Sequence, residues 1–205
     1  MPFKYAFNTW AYSSFPVWVP SYTLDEAIRR IARIGYDGIE IGCAAPHAWP
    51  AHLSAGRRQE LRRLMESEGL TPVSLLPAPG GGPGNNPSSP LPEERAATIA
   101  HYKEVIDLAH DLGTARVLYI AGWRVFGTPQ DEAWAWSLEA LGQIARHAES
   151  RGVQIAIEPT SADSNLIQTA GDALKLREQC GLANVKVMFD TYTLLTRGPE
   201  NPLAR

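Results

Sequence analysis

Six β-rich segments alternating with five amphipathic ones predict an α/β fold of the (β/α)8 TIM-barrel type. Three observations carry that expectation. A glycine closes each amphipathic stretch just before a β-rich one, at Gly35, Gly69, Gly113, Gly152 and Gly181. A C′ glycine accepts the left-handed conformation that ends a helix, so this is the grammar of repeated helix, glycine, strand units. The strands also carry one apolar face and one partly polar face, whereas an open sheet covered by helices on both sides would be apolar throughout. Finally, two buried-looking strands close on a carboxylate, Glu158 and Asp190, where an ionised group loses hydration and needs a cation, a metal or a catalytic task.

The first strand is expected over Tyr5–Trp10, with Asn8 among small or aromatic neighbours. Thr23-Leu24-Asp25-Glu26 opens the first helix with a capping-box pattern, and Leu24, Ala27, Ile28, Ile31 and Ile34 form its apolar stripe. The second strand, Gly38–Gly42, sets Ile39 and Ile41 opposite Glu40, which then points into the barrel lumen. The third strand is placed over Val73–Ala78. The Pro/Gly-rich segment from Pro77 to Pro90 follows it. This segment matches no nucleotide-binding pattern and its prolines withhold the donors a phosphate needs, so it reads as a lid or rim loop. Tyr102, Val105, Ile106, Ala109 and Leu112 stripe the third helix, ahead of a fourth strand over Arg116–Gly122. Trp134, Leu138, Leu141 and Ala145 are the expected core stripe of the fourth helix. In the fifth strand, Gln154–Pro159, Ile155 and Ile157 share one face and Gln154, Ala156 and Glu158 the other. The sixth, Val185–Thr191, repeats this with Val185, Val187 and Phe189 against Lys186, Met188 and Asp190.

At 205 residues and 44% hydrophobic, the chain can bury one large core, so a single domain over residues 1–205 is expected, with 192–205 an irregular tail. A complete barrel takes about 250 residues. Six units predict an incomplete barrel lacking its last two βα units, whose open outer strands invite pairing with a second copy. A net charge of −3 and a pI near 6.0 argue against a nucleic-acid partner. No apolar run approaches the roughly 20 residues of a membrane helix, and the first ten residues lack a signal pattern, so no membrane association and a cytoplasmic location are expected. Cys43 and Cys180 lie in unrelated segments without metal-type spacing and read as free thiols.

Active sites of barrels lie at the C-terminal ends of the strands, where Glu158 and Asp190 fall. Two such carboxylates on neighbouring strands repel each other unless a cation sits between them. Hard oxygen ligands suit Mn²⁺ or Mg²⁺, and Zn²⁺ or Co²⁺ if an imidazole joins. The other reading, in which each carboxylate pairs with a basic side chain or caps the next helix, stays open on spacing alone. Trp123, after the fourth strand, is placed to offer its ring to a ligand or to pack the rim. His47 after the second strand, Glu40 in the lumen and Asn8 complete the candidate substrate contacts.

Three stretches, Ile157-Glu158-Pro159-Thr160, Met188-Phe189-Asp190-Thr191-Tyr192 and Gly35-Tyr36-Asp37-Gly38-Ile39-Glu40-Ile41-Gly42, resemble the sugar phosphate isomerase/epimerase family. That family has a xylose isomerase-like barrel and includes ketose 3-epimerases, hydroxypyruvate isomerase, inosose dehydratase and, more distantly, endonuclease IV. The resemblance covers essentially the whole chain in order and spacing. It implies one divalent metal, Mn²⁺ first among Mg²⁺, Co²⁺ and Zn²⁺, held by a glutamate after strand five, an aspartate after strand six, a histidine after strand seven and a glutamate after strand eight. Glu158 and Asp190 match the first two. The chain departs from the family at Thr193, where a histidine is usual, and the segment that would carry the last two ligands is absent from the sequence. The implied reaction is proton abstraction next to the carbonyl of a sugar or sugar phosphate through an enediolate, with Glu158 as both ligand and base. A metal-dependent endonuclease of the related barrel type is the less favoured enzyme, since it calls for rim histidines and a basic groove. A truncated or partner-completed barrel with a binding role is the non-catalytic alternative.

Overall fold

All six expected strands form, and they lie in one parallel sheet in chain order. They are β1 (Ala6–Asn8), β2 (Gly38–Cys43), β3 (Thr71–Pro77), β4 (Arg116–Tyr119), β5 (Gln154–Ile157) and β6 (Val185–Val187). Between them run α1 (Leu24–Ile34), α2 (Ala55–Ser67), α3 (Pro92–Leu112), α4 (Gln130–Ser150) and α5 (Ala170–Cys180). This computed structural model describes residues 3–13, 21–77, 84–160 and 164–191. The tail over 192–205 and residues 78–83 of the Pro/Gly-rich segment lie outside the described residues.

The five punctuating glycines all have positive φ, between 68° and 99°. At Gly35 the consequence is explicit: its φ of 99° would strain any other residue, and its amide bonds back to the Ala32 carbonyl to close α1. Thr23 caps α1 by accepting from the Glu26 amide, but Glu26 turns its carboxylate to Arg30 and Arg33, so half of the expected capping box forms. The complete box sits at α5, between Thr169 and Asp172.

The described residues fall into two compact units. The first comprises residues 1–78 and 104–117 and contains α1, α2 and β1 to β3; the start of β4 pairs there through Val117 opposite Leu75. Its buried side chains include Ile28, Ile31, Ile39, Ile41, Leu61, Met65, Val105 and Ile106. The second comprises residues 79–103 and 118–205 and contains α4, α5, β5 and β6. Ile155 and Ile157 are fully buried in it, each contributing about 1.5–3 kcal/mol of hydrophobic stabilisation.

Several expectations shift. The first strand stops at Asn8, because the Asn8 side chain accepts from the Trp10 amide and starts a 3-10 turn over Thr9–Tyr12. The third begins earlier, at Thr71. The fourth ends at Tyr119, since the next amide, Ile120, donates to the Tyr102 hydroxyl instead of a strand. The fifth ends at Ile157, ahead of Pro159, which has no N–H to give. The sixth ends at Val187, and Phe189 is 70% exposed although alternation assigns it to the covered face. Ile34 is likewise exposed at the end of α1. In α4 the buried face runs through Ala133, Ser137, Ala140, Leu141, Ile144 and Ala145. Small residues permit close packing there, and Trp134 leans away to donate to Gln179 while Lys175 covers its ring.

Candidate functional site

In the first unit the strands bring Asn8 and Glu40 together. Residues Asn8 and Glu40 are register partners, and Asn8 Nδ2 donates to the Glu40 carboxylate at 2.6 Å. A register shift between β2 and β3 then brings Ser74 opposite Glu40, where its hydroxyl donates to the second carboxylate oxygen at 2.5 Å. A bulge of this kind re-aims a side chain, and Gly38 permits it: a Cβ there would meet Val73 Cγ1 at 2.8 Å. Two convergent donors hold the Glu40 carboxylate as an acceptor in a fixed attitude. Ser74 was not predictable as a partner, since the pairing depends on a one-residue slip that alternation does not reveal.

His47 is buried, against the solvent exposure usual for a loop histidine. Its Nε2 faces the Tyr22 carbonyl at 2.9 Å and therefore carries the proton. Burial holds the imidazole below its ordinary value, partly offset by that hydrogen bond, so the ring is neutral. It lines a cavity of about 530 Å³ together with Trp49, His52, Asp25 and Arg57, the last two forming an ion pair.

In the second unit, Glu158 and Asp190 follow adjacent parallel strands. Ile155 and Ile157 pair with Val185 and Val187, and the ladder continues when the Met188 amide donates to the Ile157 carbonyl. Glu158 is therefore level with Met188, and Asp190 follows two residues later, past the end of β6. Both are half-buried. The Glu158 amide donates to the Tyr119 carbonyl, tying β5 to the end of β4. Burial raises the Tyr102 phenol far above its usual value, and the Glu158 carboxylate adds to this, so Tyr102 stays a neutral hydroxyl beside the glutamate. Among the described residues, no three His, Cys, Asp or Glu side chains gather as a metal cage. Glu158 and Asp190 each offer hard carboxylate oxygens.

Trp123 is half-buried four residues beyond β4. Its amide donates to Asn86 Oδ1 at 3.0 Å, and Asn86 Nδ2 donates to its carbonyl at 2.8 Å. Asn85, Asn86, Ser88 and Ser89 are all buried, so this part of the expected lid is a packed seat for the rim. The clue in the sequence was Asn86-Pro87-Ser88, an Asx-turn pattern in which Asn86 Oδ1 accepts from the Ser88 amide. Cys43 and Cys180 are both free; Cys43 is fully buried and Cys180 half-buried. No described helix is long and apolar enough to cross a membrane.

Comparison with known proteins places this arrangement. A fructoselysine 3-epimerase from Shigella flexneri is 29% identical over 154 residues, covering 74% of this chain and 55% of that protein. A D-psicose 3-epimerase from Ruminiclostridium cellulolyticum is 29% identical over 174 residues, covering 80% and 56%. The chain spans about half the length of the curated relatives it matches. Among solved structures, a D-psicose 3-epimerase determined with D-fructose superposes with a TM-score of 0.80 at 19% identity, over 96% of this chain and 66% of that one. A Mycobacterium smegmatis barrel in complex with magnesium gives 0.61 at 23%, over 83% and 57%. The family model described as a xylose isomerase-like TIM barrel matches residues 28–205, and the chain belongs to that family.

Proposed function

We propose that this chain supplies the metal-binding and proton-abstracting part of a sugar or sugar-phosphate epimerase or isomerase. The observation that carries the reading is that Glu158 and Asp190 follow the adjacent parallel strands β5 and β6, in a family whose matched relatives are named 3-epimerases. The two carboxylates would hold a divalent metal, Mn²⁺ in the first instance, with Mg²⁺, Co²⁺ or Zn²⁺ as substitutes. When bound, such an ion polarises the oxygens of an open-chain ketose. Glu158 takes the proton from the carbon next to the carbonyl, leaving an enediolate. Asp190 remains an oxygen donor, and Trp123 offers its ring to the apolar face of the sugar.

The test has two readouts. Calorimetric titration with Mn²⁺ should show one stoichiometric site, lost in Glu158→Gln and in Asp190→Asn. In D₂O with D-fructose and Mn²⁺, deuterium should enter at the carbon next to the carbonyl, and Glu158→Gln should stop it. Absence of both metal binding and exchange in the unaltered chain would sink the reading.

A further inference from the structure

Just past β4 the backbone is gripped by side chains where a strand would be gripped by its neighbours. Ser164 Oγ donates to the Gly122 carbonyl at 2.7 Å. Asn86 takes both polar groups of Trp123, as described above. Asn165 repeats this at the next residue: its Oδ1 accepts from the Arg124 amide at 2.7 Å and its Nδ2 donates to the Arg124 carbonyl at 3.0 Å. Asn86 comes from the loop after β3 and Asn165 from the loop after β5. In sheet order these strands flank β4, so the two amides continue on either side the ladder that β4 itself abandons at Tyr119.

The seat is built closely. Asn86 Oδ1 accepts from Trp123, from the Ser88 amide at 3.1 Å and from the Ser88 hydroxyl at 2.9 Å, so the oxygen of this buried side chain is fully engaged. Gly122 has φ 91°, and a Cβ there would lie 2.2 Å from Asn86 Oδ1. Glycine is required at that position both for the backbone conformation and for the approach of the asparagine. With residues 123 and 124 each held at N–H and C=O, Trp123 cannot rotate about its backbone without breaking two hydrogen bonds. The direction in which the indole leaves the chain is thereby set from two other loops.

We infer that Asn86 and Asn165 are positioning residues for Trp123, orienting its ring for a ketose through a two-sided grip on the backbone of residues 123 and 124. The sugar-facing part of this inference rests on the reading of Trp123 given above.

The experiment is ¹⁹F NMR of the chain labelled with 5-fluorotryptophan, with the Trp123 line assigned by Trp123→Phe. Asn86→Asp and Asn165→Asp keep shape and acceptor but replace the amide donor with an oxygen facing a carbonyl. Each should shift or broaden the Trp123 line while the lines of the other five tryptophans hold. Asn184→Asp removes an equally structural asparagine, which donates to the Ala145 and Val153 carbonyls. It should lower the melting temperature and leave the Trp123 line in place. In the unaltered protein D-fructose should move the Trp123 line, and Asn86→Asp should raise the half-saturating concentration about tenfold, the scale of loss expected from misplacing a contact group. A Trp123 line unchanged in both asparagine variants overturns the inference. A line moved by the variants but insensitive to D-fructose in the unaltered protein upholds the positioning role and overturns the sugar-contact reading instead.

Discussion

In β2, the candidate polar group is carried by the strand itself: Glu40 lies in the ladder, and its donors Asn8 and Ser74 come from the strands on either side. After β4, the candidate group Trp123 lies four residues beyond the last ladder position, and loop asparagines hold its backbone. The difference shows two ways of placing a rim side chain. Within a strand, pairing register does it, and many residues share the task. Beyond the strand end, a few side-chain amides bonded at both ends do it, and each of them becomes a single point of failure.

The largest effect that sharpens this contrast is expected from Gly122→Ala, where positive φ and the 2.2 Å approach to Asn86 Oδ1 combine. Urea unfolding should show a loss of about 3 kcal/mol. Gly56→Ala in α2, whose nearest neighbour is Ser54 Oγ at 4.0 Å, should be neutral or stabilising by up to about 1 kcal/mol. Next, Asn86→Ala should cost about 2–3 kcal/mol by orphaning the Trp123 amide and carbonyl, against about 1 kcal/mol for Ser74→Ala, whose carboxylate partner keeps Asn8. Equal losses in these two variants would break the contrast.

A smaller effect concerns His47. Because burial lowers its proton affinity in the folded chain, the unfolded chain binds the proton more readily. Stability should therefore fall as pH drops through about 6.5 and level off only below the folded-state value. His47→Gln, which keeps a donor for the Tyr22 carbonyl, should flatten the profile between pH 7 and 5 in thermal melts. The smallest effect separates the thiols. Burial raises both, Cys43 far more than Cys180, so iodoacetamide at pH 8 should label Cys180 at least roughly tenfold faster in the folded protein. Comparable rates would mean that the first unit opens readily around Cys43.

The readable part of the fold was the part written in short range. Gly35 and its four counterparts mark helix ends because positive φ is a property of one residue. Tyr102, Val105, Ile106, Ala109 and Leu112 all proved buried because a stripe of period 3.6 declares its own face. In the stripe of α4, Leu141 and Ala145 proved buried and Trp134 and Leu138 only half-buried, because Ala133, Ser137 and Ala140 do the close packing beside them. Among the candidate residues, Glu158 and Asp190 were legible as polar ends of apolar strands and, separately, Asn8 and Glu40 as polar members of alternating ones.

The number and order of the βα units, the glycine-closed helices and the placement of two carboxylates at strand ends were determined by the sequence alone, since each depends on chemistry within a few residues. Tertiary structure alone decided that Ser74 meets Glu40, 34 positions away, and that Asn86 and Asn165 take hold of residues 37 and 41 positions distant. Such contacts depend on register, on a one-residue bulge and on where each loop lands. A local pattern of hydrophobic and polar residues encodes none of these, because many pairings of the same segments would satisfy it equally well.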